Sequence, residues 1–199
     1  MLRTAAIYTR CRPFGGERGG RIMMRLERIG REEMPEIYAA MQQNFISDEL
    51  RDYRAAMAVL DDGRYGVYHI VSDGVRLGFI CIWNLKSAAF VEHFVIYEPY
   101  RGKGVGGEAI DCVCGKFGKV ILEVEKPEDD VKRRRIAFYQ RHGFAINPQP
   151  YAQPAYRPDS AWVPMHLMSF PAAADNFGEL VSELYEAVYH VKYTPTEIQ

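Results

Sequence analysis

The sequence predicts an α/β protein in which antiparallel strands are interleaved with helices, and three observations carry that prediction. Two apolar runs, 65–71 and 76–83, are separated by Ser72-Asp73-Gly74, and Asp-Gly between apolar runs signals a β-hairpin. A third run, 89–97, leads into the glycine-rich turn Arg101-Gly102-Lys103-Gly104-Val105-Gly106, and a helical pattern follows. Met34, Ile37, Tyr38, Met41 and Phe45 recur at helical spacing and define one face of a helix.

The elements follow in order. Residues 1–22 carry five arginines (Arg3, Arg10, Arg12, Arg18, Arg21) against one acid, with Gly15, Gly16, Gly19 and Gly20. They read as a disordered leader or as a start placed too early, with Met23 or Met24 as the true first residue. An Arg-rich targeting peptide is the competing reading. A short strand is expected over 24–29. The first helix has Glu32 and Glu33 in its first turn, where carboxylates favour the dipole, and a second helix is expected over 48–60. After the three strands and the glycine turn, a helix over 105–117 would bury Val105, Ala109, Cys112, Val113 and Phe117. A strand over 120–125 comes next. Pro127-Glu128-Asp129-Asp130 then starts a helix that ends at Gly143. Strands at 144–147 and 162–169 close the body, joined by a loop rich in Pro, Tyr and Gln. In the tail, 171–199, Phe177, Leu180, Val181, Leu184 and Val188 form an amphipathic helix. Left exposed, that stripe would serve a homodimer.

Of the 199 residues, 48% are hydrophobic and 26% charged, with a formal net charge of −1. That balance fits a soluble globular chain and gives no broad attraction to nucleic acid or membrane. There is no signal-peptide pattern and no run of about 18 apolar residues. Cys11, Cys81, Cys112 and Cys114 lack metal-ligand spacing. A cytoplasmic protein with reduced thiols and no metal is expected.

A glycine-rich turn between strand and helix is a general anion site, because the first helical N–H groups lack intrahelical partners and glycine lets backbone approach phosphate. A P-loop requires Ser or Thr after Gly-Lys, and here Gly104 follows Lys103. The dinucleotide pattern G-x-G-x-x-G matches at Gly102, Gly104 and Gly107, but the strands upstream arrive as antiparallel hairpins rather than βαβ units.

Tyr100-Arg101-Gly102-Lys103-Gly104-Val105-Gly106 resembles the R/Q-x-x-G-x-G/A motif of the GNAT superfamily of N-acetyltransferases. Ala137-Phe138-Tyr139-Gln140-Arg141-His142-Gly143-Phe144 resembles the A-x-F-Y-x-x-x-G-F signature of the same superfamily, at the expected distance. The resemblance covers 24–170. It implies an α/β GNAT fold, a mixed and mostly antiparallel sheet with helices on both faces. It also implies direct acetyl transfer from acetyl-CoA to a primary amine of a small molecule or peptide. A non-catalytic acyl-CoA-binding module on the same fold is the alternative.

The resemblance assigns the pyrophosphate to Arg101, Gly102, Lys103, Gly104, Val105, Gly106 and Gly107. The backbone of Phe94, Val95 and Ile96 would lie along the pantetheine, and Tyr139 would act as general acid toward the departing thiolate. For the base, relatives carry a glutamate or a histidine near Glu92 and His93. As strand neighbours these two should point to opposite faces unless a bulge turns the strand, and Glu92 is placed first. Glu123 and Glu125 share a strand face, which reads as a solvated face, a cation site or a remote base.

Overall fold

The computed structural model describes residues 9–10, 24–158 and 160–194. Its strands are β1 (Thr9–Arg10), β2 (Met24–Arg28), β3 (Tyr65–Ser72), β4 (Val75–Asn84), β5 (Ala89–Ile96), β6 (Val120–Glu125), β7 (Ala145–Ile146), β8 (Tyr151–Gln153) and β9 (Val163–Phe170). The helices are α1 (Met34–Asn44), α2 (Tyr53–Ala58), α3 (Val105–Phe117), α4 (Asp130–Arg141) and α5 (Phe177–Leu184), the last running into a π-helical turn at Tyr185–Tyr189. Apart from Thr9–Arg10, which pair with β2, the expected leader lies outside the described residues.

One sheet holds all nine strands in the order β1-β2-β3-β4-β5-β6-β9-β7, with β8 also on β9. Every pairing is antiparallel except β5 with β6. Asp73 (φ 49°) and Gly74 (φ 80°) both take positive φ in the β3–β4 turn, as the Asp-Gly signal requires. Two apolar layers cover the sheet. One packs Ile37, Met41, Phe79, Trp83 and Phe90 against α1, α2 and the tail; the other packs Ile80, Val91 and Leu122 against α3 and α4.

Three expectations are corrected. The helix expected over 48–60 is broken into a 3-10 turn at Ser47–Glu49, extended backbone at Leu50, and α2 capped by Asp52, whose side chain accepts from the Ala55 N–H. The break turns Arg51 inward, where it pairs with Glu92. The loop after 147 contains β8, a three-residue strand too short to show periodicity. The tail's apolar stripe (Phe177, Leu180, Val181, Leu184, Val188) is buried against the same core as α1, so it is not a free face for a second copy. Cys81 and Cys114 are free and buried.

Candidate active site

The central feature is the seam between β5 and β6. These parallel strands pair only at Ala89↔Val120, Phe90↔Ile121 and Val91↔Leu122. Beyond Val91 the partners diverge: β5 continues along β4 to Ile96, and β6 continues along β9 to Glu125. The sheet therefore opens into a wedge whose edges are backbone. The Tyr97 N–H donates to the Leu77 carbonyl on the β4 side. By strand alternation the Val95 peptide groups also face β4, and those of Phe94 and Ile96 face the wedge. The Val95 side chain is buried in the core. The Phe94 peptide groups and the Ile96 N–H thus face the wedge, whereas the Ile96 carbonyl accepts from Arg101 and the Val95 groups face β4.

At the mouth of the wedge β5 bulges. His93 stands opposite Cys81 and Val91 opposite Ile82, so Glu92 is the extra residue. A bulge shifts the alternation by one. Glu92 and His93 therefore both line the same cleft of about 260 Å³, rather than facing opposite ways. Asn44, Phe45 and Glu49 wall it from α1 and the following turn; Glu123 and Glu125 come from β6, Arg135 from α4 and Gln153 from β8.

Glu92 is not poised to take a proton. The Glu92 side chain is fully buried, with Oε1 2.5 Å from Arg51 Nη1 and accepting from the Tyr156 hydroxyl at 3.1 Å. Burial alone would raise its carboxyl, but the Arg51 guanidinium, with help from His93, outweighs this and holds it well below the ordinary carboxylate range. His93 Nε2 lies 3.1 Å from the Glu49 carbonyl, an acceptor only, so that nitrogen carries a proton. Its Nδ1 is buried, 3.6 Å from Glu92 Oε2.

Glu123 is different. The Tyr151 hydroxyl donates to Oε1, and the Tyr189 hydroxyl lies 2.9 and 2.8 Å from the two carboxylate oxygens. Burial pushes its carboxyl up to about 7; the two phenols act against that, while Glu92 and Glu49 reinforce it. Glu125 is already paired, 2.5 Å from Arg135 and 3.5 Å from Lys132. Glu49 is raised by burial and by its neighbour Glu125. The basic run at the start of α4 thus serves Glu125, Glu128 and Asp130 through Lys132, Arg133 and Arg135. Tyr189 and the inward Arg51 are the residues sequence reasoning missed, since both act across long sequence separations.

Beyond the wedge lies the glycine turn. Gly102 (φ 72°) and Gly104 (φ 83°) both need left-handed backbone, and a Cβ at either would project into open space. Gly104 caps α3 with no side-chain partner, which leaves the first-turn N–H groups of Val105 and Gly106 directed outward. Arg101 braces the turn, with Nε donating to the Ile96 carbonyl (2.8 Å) and Nη2 to Asn44 (2.6 Å). Lys103 is exposed. Gly107 serves packing, because a Cβ there would meet the His142 ring at 2.7 Å. Tyr139 sits on α4 against Phe138 and Phe144; burial pushes its hydroxyl up to about 12.

Residues 26–144 match the model of the acetyltransferase (GNAT) family. The chain belongs to the GNAT family. It is accordingly an acyltransferase, with the GNAT sheet and a C-terminal helix added to it. An acetyltransferase assigned to the GNAT family from Bacteroides thetaiotaomicron is similar at 29% identity, covering 84% of this chain and 99% of that one, with a TM-score of 0.76. The ribosomal-protein-S18-alanine N-acetyltransferase of Escherichia coli (17% identity, 76% and 96% coverage, TM-score 0.53) shares the fold. So does a spermidine N-acetyltransferase chimera from Vibrio cholerae (12%, 73% and 94%, 0.52). No curated protein matches by sequence. Among the described residues no helix is long and apolar enough to cross a membrane, and no cluster of three or more His, Cys, Asp or Glu side chains is placed to hold a metal ion.

Proposed function

We propose that the chain transfers an acetyl group from acetyl-CoA directly to a primary amine, with Glu123 as the base. One observation carries this reading: a desolvated carboxylate near 7 lies in an acid-lined cleft at the mouth of the β5–β6 wedge. The glycine turn would hold the pyrophosphate through backbone N–H groups of α3. The pantetheine would run along the wedge, bonding to the Phe94 peptide groups and the Ile96 N–H, since the Ile96 carbonyl already accepts from Arg101. An N–H of that edge would polarise the thioester carbonyl.

The acceptor arrives as an ammonium, with a pKa near 10.4 for a lysine-like amine. The cleft contains Glu49, Glu92, Glu123 and Glu125, and among these only Glu92 and Glu125 have guanidinium partners. That imbalance favours a cation over a carboxylate-bearing acceptor. Glu123 takes one ammonium proton, the amine nitrogen bonds to the thioester carbon, and the carbon–sulfur bond breaks as the amide forms. The electron pair leaves on sulfur. A phenol at about 12 holds its proton firmly, and full transfer to a thiolate of parent pKa about 8.5 is uphill. Tyr139 therefore acts as a hydrogen-bond donor to the developing thiolate, and the second ammonium proton completes the thiol through solvent.

Turnover of acetyl-CoA against a panel of primary amines tests the reading, with Glu123→Gln, Glu92→Gln and Tyr139→Phe alongside. Loss of turnover confined to Glu92→Gln would move the base back to β5. Tight coenzyme A binding without turnover on any acceptor would favour a non-catalytic acyl-CoA-binding module.

A further inference from the structure

We propose that Tyr189 of the C-terminal tail and Tyr151 of β8 are positioning residues for Glu123, whose hydroxyls aim its carboxylate at the cleft and set where it titrates. The inference rests on the reading of Glu123 as the base, and it adds two residues that lie outside the span matched to the family, 26–144.

Both phenols reach Glu123 from rigid positions. Tyr151 opens β8 and stands opposite Met165 on β9, which in turn stands opposite Glu125 on β6. Its ring packs on Tyr185 at 5.8 Å. Tyr189 closes the π-helical turn that continues α5. The turn is held from two sides: the Tyr185 hydroxyl donates to the Ala152 carbonyl at 2.5 Å, and Arg51 Nη2 donates to the Val188 carbonyl at 2.9 Å. Gln153 Nε2 lies 3.3 Å from the Tyr189 oxygen and can only donate there, so the Tyr189 proton is directed to Glu123.

Titratable groups face Glu123 from several elements, and the Tyr156 hydroxyl of the loop after β8 stands behind them, 3.4 Å from that of Tyr189. β5 presents Glu92, and the turn before α2 presents Glu49; both carboxylates oppose its ionisation. β8 and the tail present Tyr151 and Tyr189, neutral donors that favour the ionised form. On β6 itself Glu125 is neutralised by Arg135. Removing either phenol therefore moves Glu123 upward, farther from a carboxylate able to accept a proton at neutral pH.

Carbon-13 NMR of protein labelled at the glutamate carboxyl carbon tests this without knowledge of the acceptor. The resonance missing from Glu123→Gln identifies the group. Tyr189→Phe and Tyr151→Phe should each raise its midpoint, by on the order of one pH unit. The acid limb of kcat/KM on a turned-over primary amine should shift equally. Tyr185→Phe is the structural control, because it loses a buried hydrogen bond in the same turn without touching the Glu123 carboxylate. An unmoved midpoint in both Phe variants, or an equal shift in Tyr185→Phe, overturns the proposal. A shifted midpoint with full activity in Glu123→Gln would support the clamp and sink the assignment of Glu123 as base.

Discussion

Arg51 and Glu92, 41 residues apart, form a buried ion pair at 2.5 Å that ties the α1–α2 connection to the β5 bulge. The same guanidinium donates to the Val188 carbonyl and lies over the Tyr156 ring, 4.5 Å from its centroid. One side chain thus ties β5, the tail and the loop after β8 to the α1–α2 connection. Truncating one partner of such a pair leaves an uncompensated buried charge, which costs about 3–5 kcal/mol. Arg51→Met should lose stability of that order in urea unfolding. The double variant Arg51→Met/Glu92→Leu should recover most of it. Equal losses in both would mean that the packing of Arg51, rather than its charge, matters.

The two buried glutamates carry opposite pH signatures. Glu92 is depressed in the folded state, so its contribution is present above the unfolded value of about 4.3 and is lost as pH falls below it. Glu123 is raised to about 7, so the folded state binds the extra proton and stability declines as pH climbs from about 4.3 to 7. Glu123→Gln should therefore gain stability relative to the parent at pH 8 and little at pH 5. Urea midpoints at the two pH values measure this, and a gain independent of pH would contradict the shifted titration.

If Glu123 is the base, its loss should appear in rate rather than binding. Glu123→Gln is expected to lower kcat by about 10²–10⁴, the usual range for a general base, and to abolish the acid limb near pH 7. Coenzyme A affinity should be unchanged if Glu123, in the cleft beside the wedge, serves the acceptor as proposed.

Two glycines of one turn should fail in different ways. Gly104→Ala forces an L-residue into left-handed backbone at about 1–2 kcal/mol and adds a methyl where the phosphates would approach, so weaker coenzyme A binding by calorimetry is expected. Gly107→Ala would ordinarily favour a helix by about 1 kcal/mol. Here the new Cβ meets the His142 ring, which is held by Asp111 at 2.7 Å, so the melting temperature should fall instead. The pair Gly107→Ala/His142→Ala should restore it.

Tyr139→Phe removes a hydroxyl to whose titration no hydrogen bond from a described residue contributes. Stability should hold or rise slightly, and kcat should fall with KM little changed if the hydroxyl serves the thiolate. A fall in melting temperature with kcat intact would mark Tyr139 as a core aromatic only.

Most of the scaffold was legible in the sequence, because its signals are local. The Asp73-Gly74 turn, the spacing of Met34 to Phe45 and the glycines before Val105 each depend on neighbouring residues, and each appears where expected. The site was less legible. Alternation predicts that Glu92 and His93 diverge, and the bulge that turns both to one side appears only in the pairing of β4 with β5. Arg51 sat in an expected helix until its partner 41 residues away drew it inward. The alternating acids of β6 looked alike, yet Arg135 neutralises Glu125 while two phenols enclose Glu123.

By itself the sequence determined the α/β class, the glycine turn before α3 and the resemblance to GNAT enzymes, since turn chemistry, periodicity and motif spacing are properties of contiguous chain. What distinguishes the surroundings of Glu92, His93 and Glu123 comes from tertiary structure alone. Whether a carboxylate accepts a proton near neutrality depends on the burial, cations and hydroxyls around it, and these come from β8, the Arg51 connection and a tail 66 residues downstream of Glu123.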